Sequence, residues 1–255
     1  MPRPIRAVIH TAALAHNLQV VRRHAPHSRV WAVVKANAYG HGIERAYAGM
    51  SPHADGFALL DLAEAERVRA LGWRGPILML EGVFEARDLE VVQALGLTIA
   101  VHDDERIAEL AALRDGPKVA VMLKVNSGMN RLGFRGAAVR AAWERLQALP
   151  RVDAVGCMTH FANSDVVAGA ADAIAEFDAV TDGLPGVRSL SNSAAIVRVL
   201  LRPIWRISRT LRWVKRLARW NHPAIKMPPR TIWLVSANKV RLPIRWALSA
   251  LVHRR

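Results

Sequence analysis

A single cysteine, Cys157, stands in 255 residues, which excludes an intrachain disulfide and makes a reducing cytoplasm the default compartment. No apolar run reaches the roughly 18 residues that a membrane span requires, and the first residues lack the charged-then-apolar pattern of a secretory signal, so a soluble protein is expected. Tyrosine occurs only at positions 39 and 47. Acidic residues stop at Asp182 and glycines at Gly186. The last 69 residues therefore hold no glycine, where average usage would supply about five, yet they hold five of the eight tryptophans.

These absences change the meaning of the net charge of +15, which would ordinarily point to nucleic acid or an anionic membrane. Up to Asp182, 20 Lys and Arg face 21 acids, a balance of −1, and the remaining 16 basic residues follow with no acid among them. The chain reads as two stretches that join near residues 196–201: residues 1–198, of ordinary composition, and a basic, Trp- and Arg-rich tail over 199–255.

In the front stretch a short apolar run, a turn rich in Gly, Asn or Asp, and a segment of helical spacing recur. The apolar runs lie at 30–34, 56–60, 77–80, 98–101, 119–123, 152–156 and 187–190. Helical segments such as 61–71 and 103–110 open with aspartates, which suit a helix N-terminus. Ahead of the first run, 11–18 reads as a capped amphipathic helix that ends in Arg22 and Arg23. The class is α/β. Seven βα units at this spacing fit a parallel TIM-type (β/α)8 barrel better than a doubly wound sheet, and the barrel is incomplete, because the composition changes where an eighth strand should follow Ser191-Asn192-Ser193.

The sharpest local feature is Ala32-Val33-Val34-Lys35-Ala36-Asn37-Ala38-Tyr39-Gly40-His41-Gly42. It puts a lysine at the end of an apolar strand and before a polar turn, which in a barrel is the active face. A lysine in a partly dry pocket holds its proton less tightly and can form a Schiff base with an aldehyde. A strand-end lysine reaching solvent is the plain alternative. Arg131 follows a Gly-Met-Asn turn, where a guanidinium can grip a carboxylate or phenolate through paired hydrogen bonds. Asn192 and Ser193 offer small polar groups near a strand end.

The 32–42 run resembles the cofactor-lysine motif of the alanine racemases, and three further segments resemble that family in the same order: 123–133, 158–162 and 191–195. The resemblance covers residues from about 5 to 196. It implies that Lys35 holds pyridoxal 5'-phosphate and exchanges a proton with one face of the substrate carbanion. It implies that Tyr39 helps bind the phosphate, that Arg131 touches the phenolic oxygen and positions the substrate carboxylate, and that Lys124 is carbamylated and orients Arg131. His160 would lie near the cofactor ring, and Asn192 and Ser193 would belong to the phosphate site. No metal is implied. The activity implied is interconversion of L- and D-alanine by a homodimer, without a nucleic-acid or membrane partner.

The chain departs from that pattern in its second half. The family's second proton-transferring base is a tyrosine of the partner's C-terminal β domain, and no tyrosine here matches it. Arg202-Pro203-Ile204 only faintly resembles the family's Arg-Pro-Gly turn, so its role is not carried over. A frameshift near residue 198 would explain the missing domain and the altered composition together, leaving cofactor binding with little turnover. Two other readings remain open. One is a single-domain barrel that carries the same cofactor for its homeostasis. The other is a cationic binder of membrane or nucleic acid acting through the tail, where apolar residues 204, 207, 211, 214 and 217 oppose basic 202, 206, 209, 212 and 216.

Overall fold

The computed structural model describes residues 7–165, 170–200 and 231–236, the last six and 197–200 by their backbone. All seven apolar runs become strands: β1 (Arg29–Val33), β2 (Gly56–Leu59), β3 (Ile77–Met79), β4 (Thr98–Val101), β5 (Val119–Lys124), β6 (Val152–Met158) and β7 (Arg188–Ser189). Each pairs in parallel with the next. An eighth strand, β8 (Thr231–Ser236), pairs in parallel with both β1 and β7 and closes the ring in the order β1 to β8. The front stretch thus supplies the seven units that its periodicity predicts, and the strand that completes the barrel comes from within the tail. The physical reason is an edge effect. A curled sheet of seven strands leaves unpaired N–H and C=O groups along β1 and β7, and any extended six-residue segment can pair with both. The amphipathic segment 204–217 and the prolines at 223, 228, 229 and 243 lie outside the described residues.

The helices ring the sheet: α1 (Thr11–His24), α3 (Ile43–Met50), α4 (Leu62–Ala70), α5 (Asp88–Leu95), α6 (Asp104–Ala112), α7 (Ala137–Gln147), α8 (Ala171–Val180) and α9 (Ser193–Leu200). A ninth short segment, α2 (Lys35–Tyr39), follows β1 directly and is a left-handed turn. The acids at two predicted helix starts act as caps. Asp61 accepts the Ala63 N–H at 2.8 Å and Asp103 that of Arg106 at 2.9 Å, each satisfying a donor that the helix leaves orphaned. At α1 the expected side-chain cap is not made: His10 precedes the helix, and its backbone carbonyl receives the Ala13 N–H at 3.0 Å.

Strand side chains alternate between two buried layers, as a sheet covered on both faces requires. Trp31, Val33, Ala58, Leu78, Ala100, Met122 and Met158 fill the barrel interior. Their neighbours, among them Val30, Ala32, Phe57, Leu59, Ile99 and Val121, face the helices. Trp31 fits inside because its partner in register is Gly56, where a Cβ would sit 2.2 Å from the indole. No helix among the described residues is long and apolar enough to cross a membrane.

Candidate active site

The turn after β1 is the least ordinary piece of backbone among the described residues. Ala36, Asn37, Ala38 and Tyr39 all have φ between 52° and 55°, and Gly40 follows at 82°. For a residue with a Cβ this region costs roughly 1–2 kcal/mol, which asparagine tolerates better than alanine or tyrosine. Such a run persists only if its surroundings hold it. Ala38 N–H donates to the Val34 carbonyl at 2.7 Å, Gly40 N–H to Ala36 at 3.0 Å, and Gly42 N–H to Asn37 at 2.9 Å. The buried His41 ring reaches back through Nδ1 to the Ala38 carbonyl at 2.6 Å; a carbonyl only accepts, so the proton of that bond is on Nδ1. The turn carries half-buried Lys35 at its start, at the C-terminal end of β1, and half-buried Tyr39 at its end, packed against both hydrophobic layers.

The second piece is the loop between β5 and α7. Lys124 ends β5 and is buried, 8% exposed. Burial pushes its ammonium down to about 8, the Arg131 charge adds to this, Glu81 opposes it and Lys35 adds a little more. Lys35, Lys124, Arg131 and Glu81 therefore share one electrostatic neighbourhood at the strand ends. Exposed Arg131 is presented by a tight loop: the Asn126 side-chain oxygen Oδ1 accepts the Gly128 and Asn130 N–H groups at 3.1 and 3.0 Å. Phe134 N–H donates to the Lys124 carbonyl and Asn126 N–H to that of Phe134, both at 2.9 Å. Gly133 is required there, because its φ is 111° and a Cβ would lie 2.7 Å from the Lys124 carbonyl oxygen. A cleft of about 430 Å³ opens beside the loop, lined by His102, Asp103, Asn126, Asn130, Arg131 and Arg135 among others.

The third piece follows β6 and β7. Thr159 N–H donates to the Ser189 carbonyl at 2.9 Å, and the Thr159 hydroxyl bonds that of Ser127 at 2.6 Å, lacing the β5, β6 and β7 ends together beside half-buried His160. Asn192 caps α9. Its Oδ1 accepts the Ala195 N–H at 3.1 Å and the Ser164 hydroxyl at 2.6 Å, while its Nδ2 donates to the Phe161 carbonyl at 3.1 Å. Its side chain is thereby committed to the shape of the turn, and buried Ser193 stands at the start of the helix, the end at which the helix dipole favours an anion.

Lys35, Tyr39, Lys124, Arg131, His160, Asn192 and Ser193 thus lie at the C-terminal ends of β1, β5, β6 and β7, on the face where parallel barrels carry their chemistry. The structure adds Glu81, after β3, and Asn126, which shapes the Arg131 loop. Glu81 follows the apolar run 77–80 at a strand end, a position that could have flagged it. Asn126 carries no comparable signal, because polar turn residues are common. Among the described residues no group of three or more His, Cys, Asp or Glu gathers as a metal site.

The fold and this cluster define a class: a parallel barrel with a lysine amine at the end of its first strand, amid other cations. The family is shown by comparison. The pattern of the family "Alanine racemase, N-terminal domain" matches residues 9–212, and the chain belongs to that family. The alanine racemase of Acidovorax sp. (strain JS42) is 62% identical over 198 residues, 78% of this chain and 54% of that protein. The biosynthetic alanine racemase from Pseudomonas aeruginosa, a solved structure, superposes with a TM-score of 0.73 at 38% identity, over 77% of this chain and 55% of that one. That from E. faecalis gives 0.69 at 32%, over 76% and 55%. The chain spans about half the length of the relatives it matches.

Proposed function

We propose that this chain is the cofactor-holding barrel of a pyridoxal-phosphate-dependent racemase acting on alanine. The observation that carries this reading is the clustering of Lys35, Lys124 and Arg131 at the barrel's C-terminal face, with the N-terminus of α9 on the same face. The donor set fits the group: a primary amine for the aldehyde, cations for its anionic oxygens, and a helix N-terminus with Ser193 for its phosphate. When bound, pyridoxal phosphate supplies a conjugated ring that takes up the electron pair left by loss of the substrate Cα proton.

The chain's own residues then divide the work. Lys35 would hold the aldehyde carbon and would move a proton at the substrate Cα on one face. Tyr39, Ser193 and the α9 N-terminus would hold the phosphate, with Asn192 acting through the turn it fixes. Arg131 would hold the phenolic oxygen and the substrate carboxylate, and His160 would serve the ring. Lys124, depressed to about 8, is partly neutral near that pH, the form in which an amine adds carbon dioxide and gives up a proton to solvent. The carbamate's negative charge would then orient Arg131. Racemisation also needs a proton-transferring group on the opposite face, and the sequence offers tyrosine only at 39 and 47. Cofactor binding with little or no racemisation is therefore expected of these 255 residues, with dimerisation, as in the family, belonging to the whole enzyme, in the cytoplasm.

The test is a titration of the purified chain with pyridoxal phosphate, followed by absorbance, and borohydride trapping with peptide mass analysis. The label should sit on Lys35 and vanish in Lys35→Ala. A chain that takes up no label, or takes it up elsewhere, would refute the assignment, and brisk alanine racemisation would refute the expectation of low turnover.

A further inference from the structure

The left-handed turn that carries Lys35 is held from outside by the next βα unit. Asn37 lies on the exposed side of the turn, and its N–H lies too early in the turn to share its internal bonds. That N–H donates instead to Glu64 Oε1, on α4, at 2.5 Å. The side-chain oxygen of Asn37 accepts two further bonds, from the Ile43 N–H that begins α3 and from Arg67 Nη2, each at 3.1 Å. Arg67, one turn after Glu64 on α4, is fixed in turn by Glu44 of α3, at 2.8 and 3.0 Å from the same nitrogen. That bond holds the Glu44 carboxyl below its ordinary range. The second oxygen of Glu64, Oε2, is covered and has no hydrogen-bond partner in the structure. A half-buried carboxylate kept with one oxygen unsatisfied is costly to maintain, and its one bond goes to the strained turn.

We infer that Glu64 is a positioning residue for Lys35: by capping the Asn37 N–H it fixes the left-handed turn, and so the direction in which the Lys35 amine leaves the end of β1. Arg67 supports the same turn through the Asn37 side-chain oxygen. The inference rests on the assignment of Lys35 as the cofactor-binding amine, and it concerns geometry that exists before any cofactor arrives.

Two readouts separate it from that assignment and from a plain packing role. In the full chain without cofactor, the rate of Lys35 acylation by an acetic anhydride pulse is measured against exposed Lys118 by peptide mass. With cofactor, affinity for pyridoxal phosphate is read from absorbance. Glu64→Ala is expected to change the Lys35-to-Lys118 ratio at least about threefold and to weaken affinity about tenfold, the equivalent of one hydrogen bond to a charged group. Glu64→Gln, which keeps an oxygen for the Asn37 N–H, should restore both to within about twofold, less than the loss of one hydrogen bond. Equal ratios in the native chain and Glu64→Ala, or a Glu64→Gln protein that behaves like Glu64→Ala, would overturn the inference. If Glu64→Ala does not fold, Arg67→Met decides by the same ratio. If the native chain takes up no cofactor, the functional assignment falls and the acylation ratio still decides the role of Glu64.

Discussion

Replacing Lys124 by methionine isolates what it costs to keep a cation at the buried end of β5. Methionine follows a similar unbranched path without the charge, so packing changes little. The folded chain holds the lysine proton only up to about pH 8, against an ordinary 10.5 in the unfolded chain. At about 1.4 kcal/mol per tenfold change, that gap makes the protonated lysine destabilising by roughly 3 kcal/mol. The sign follows from proton counting. Between about 8 and 10.5 the unfolded chain binds more protons than the folded one, so the stability of the native chain rises with pH across that window and falls again as pH drops back through 8. Urea unfolding of both proteins at pH 7, 8, 9 and 10, in buffer freed of carbon dioxide, reads the effect directly. Lys124→Met should be the more stable at pH 7, by up to roughly 3 kcal/mol, and its advantage should shrink steadily toward pH 10. An advantage that is the same at pH 7 and pH 10, or absent at both, would refute the claim that burial and Arg131 depress this lysine.

Gly133→Ala should strain the Arg131 loop, because a residue with a Cβ is forced to a φ of 111° within 2.7 Å of the Lys124 carbonyl oxygen. A loss of about 1–3 kcal/mol in urea unfolding is expected, with weakened pyridoxal phosphate binding, and a change below about 0.5 kcal/mol would count against the loop geometry. Asn192→Ala removes the cap of α9 and leaves the Ser164 hydroxyl and the Phe161 carbonyl without their partner. It should cost about 1–2 kcal/mol, most of it recovered in Asn192→Asp, which keeps the capping oxygen, as thermal or urea unfolding can show.

Much of the candidate site was legible because its residues sit at the boundary between an apolar run and a polar turn. Lys35 after 30–34, Lys124 and Arg131 around 119–131, His160 after 152–156 and Ser193 after 187–190 all sit where parallel strands end, so recognising the period of the strands located them. The caps at Asp61 and Asp103 were legible for the same reason: a cap is a contact between residues two or three apart. Glu64 and Arg67 were not, since on α4 they read as ordinary charges of a solvent-facing helix, and only their approach to Asn37, 27 and 30 residues away, gives them a task.

The sequence by itself determined the first seven strands, helices such as those at 61–71 and 103–110, and the motif order, because apolar periodicity and turn chemistry act over a few residues at a time. It also determined that the acids and glycines end well before the chain does. Only the tertiary structure decided that the Lys35 turn is left-handed, that Lys124 is buried beside Arg131, and that Thr231–Ser236 lies between β7 and β1. Each of these depends on groups distant along the chain. Backbone strain, a depressed lysine and a free sheet edge acquire their energies from what packs against them, and no window of local sequence contains that partner.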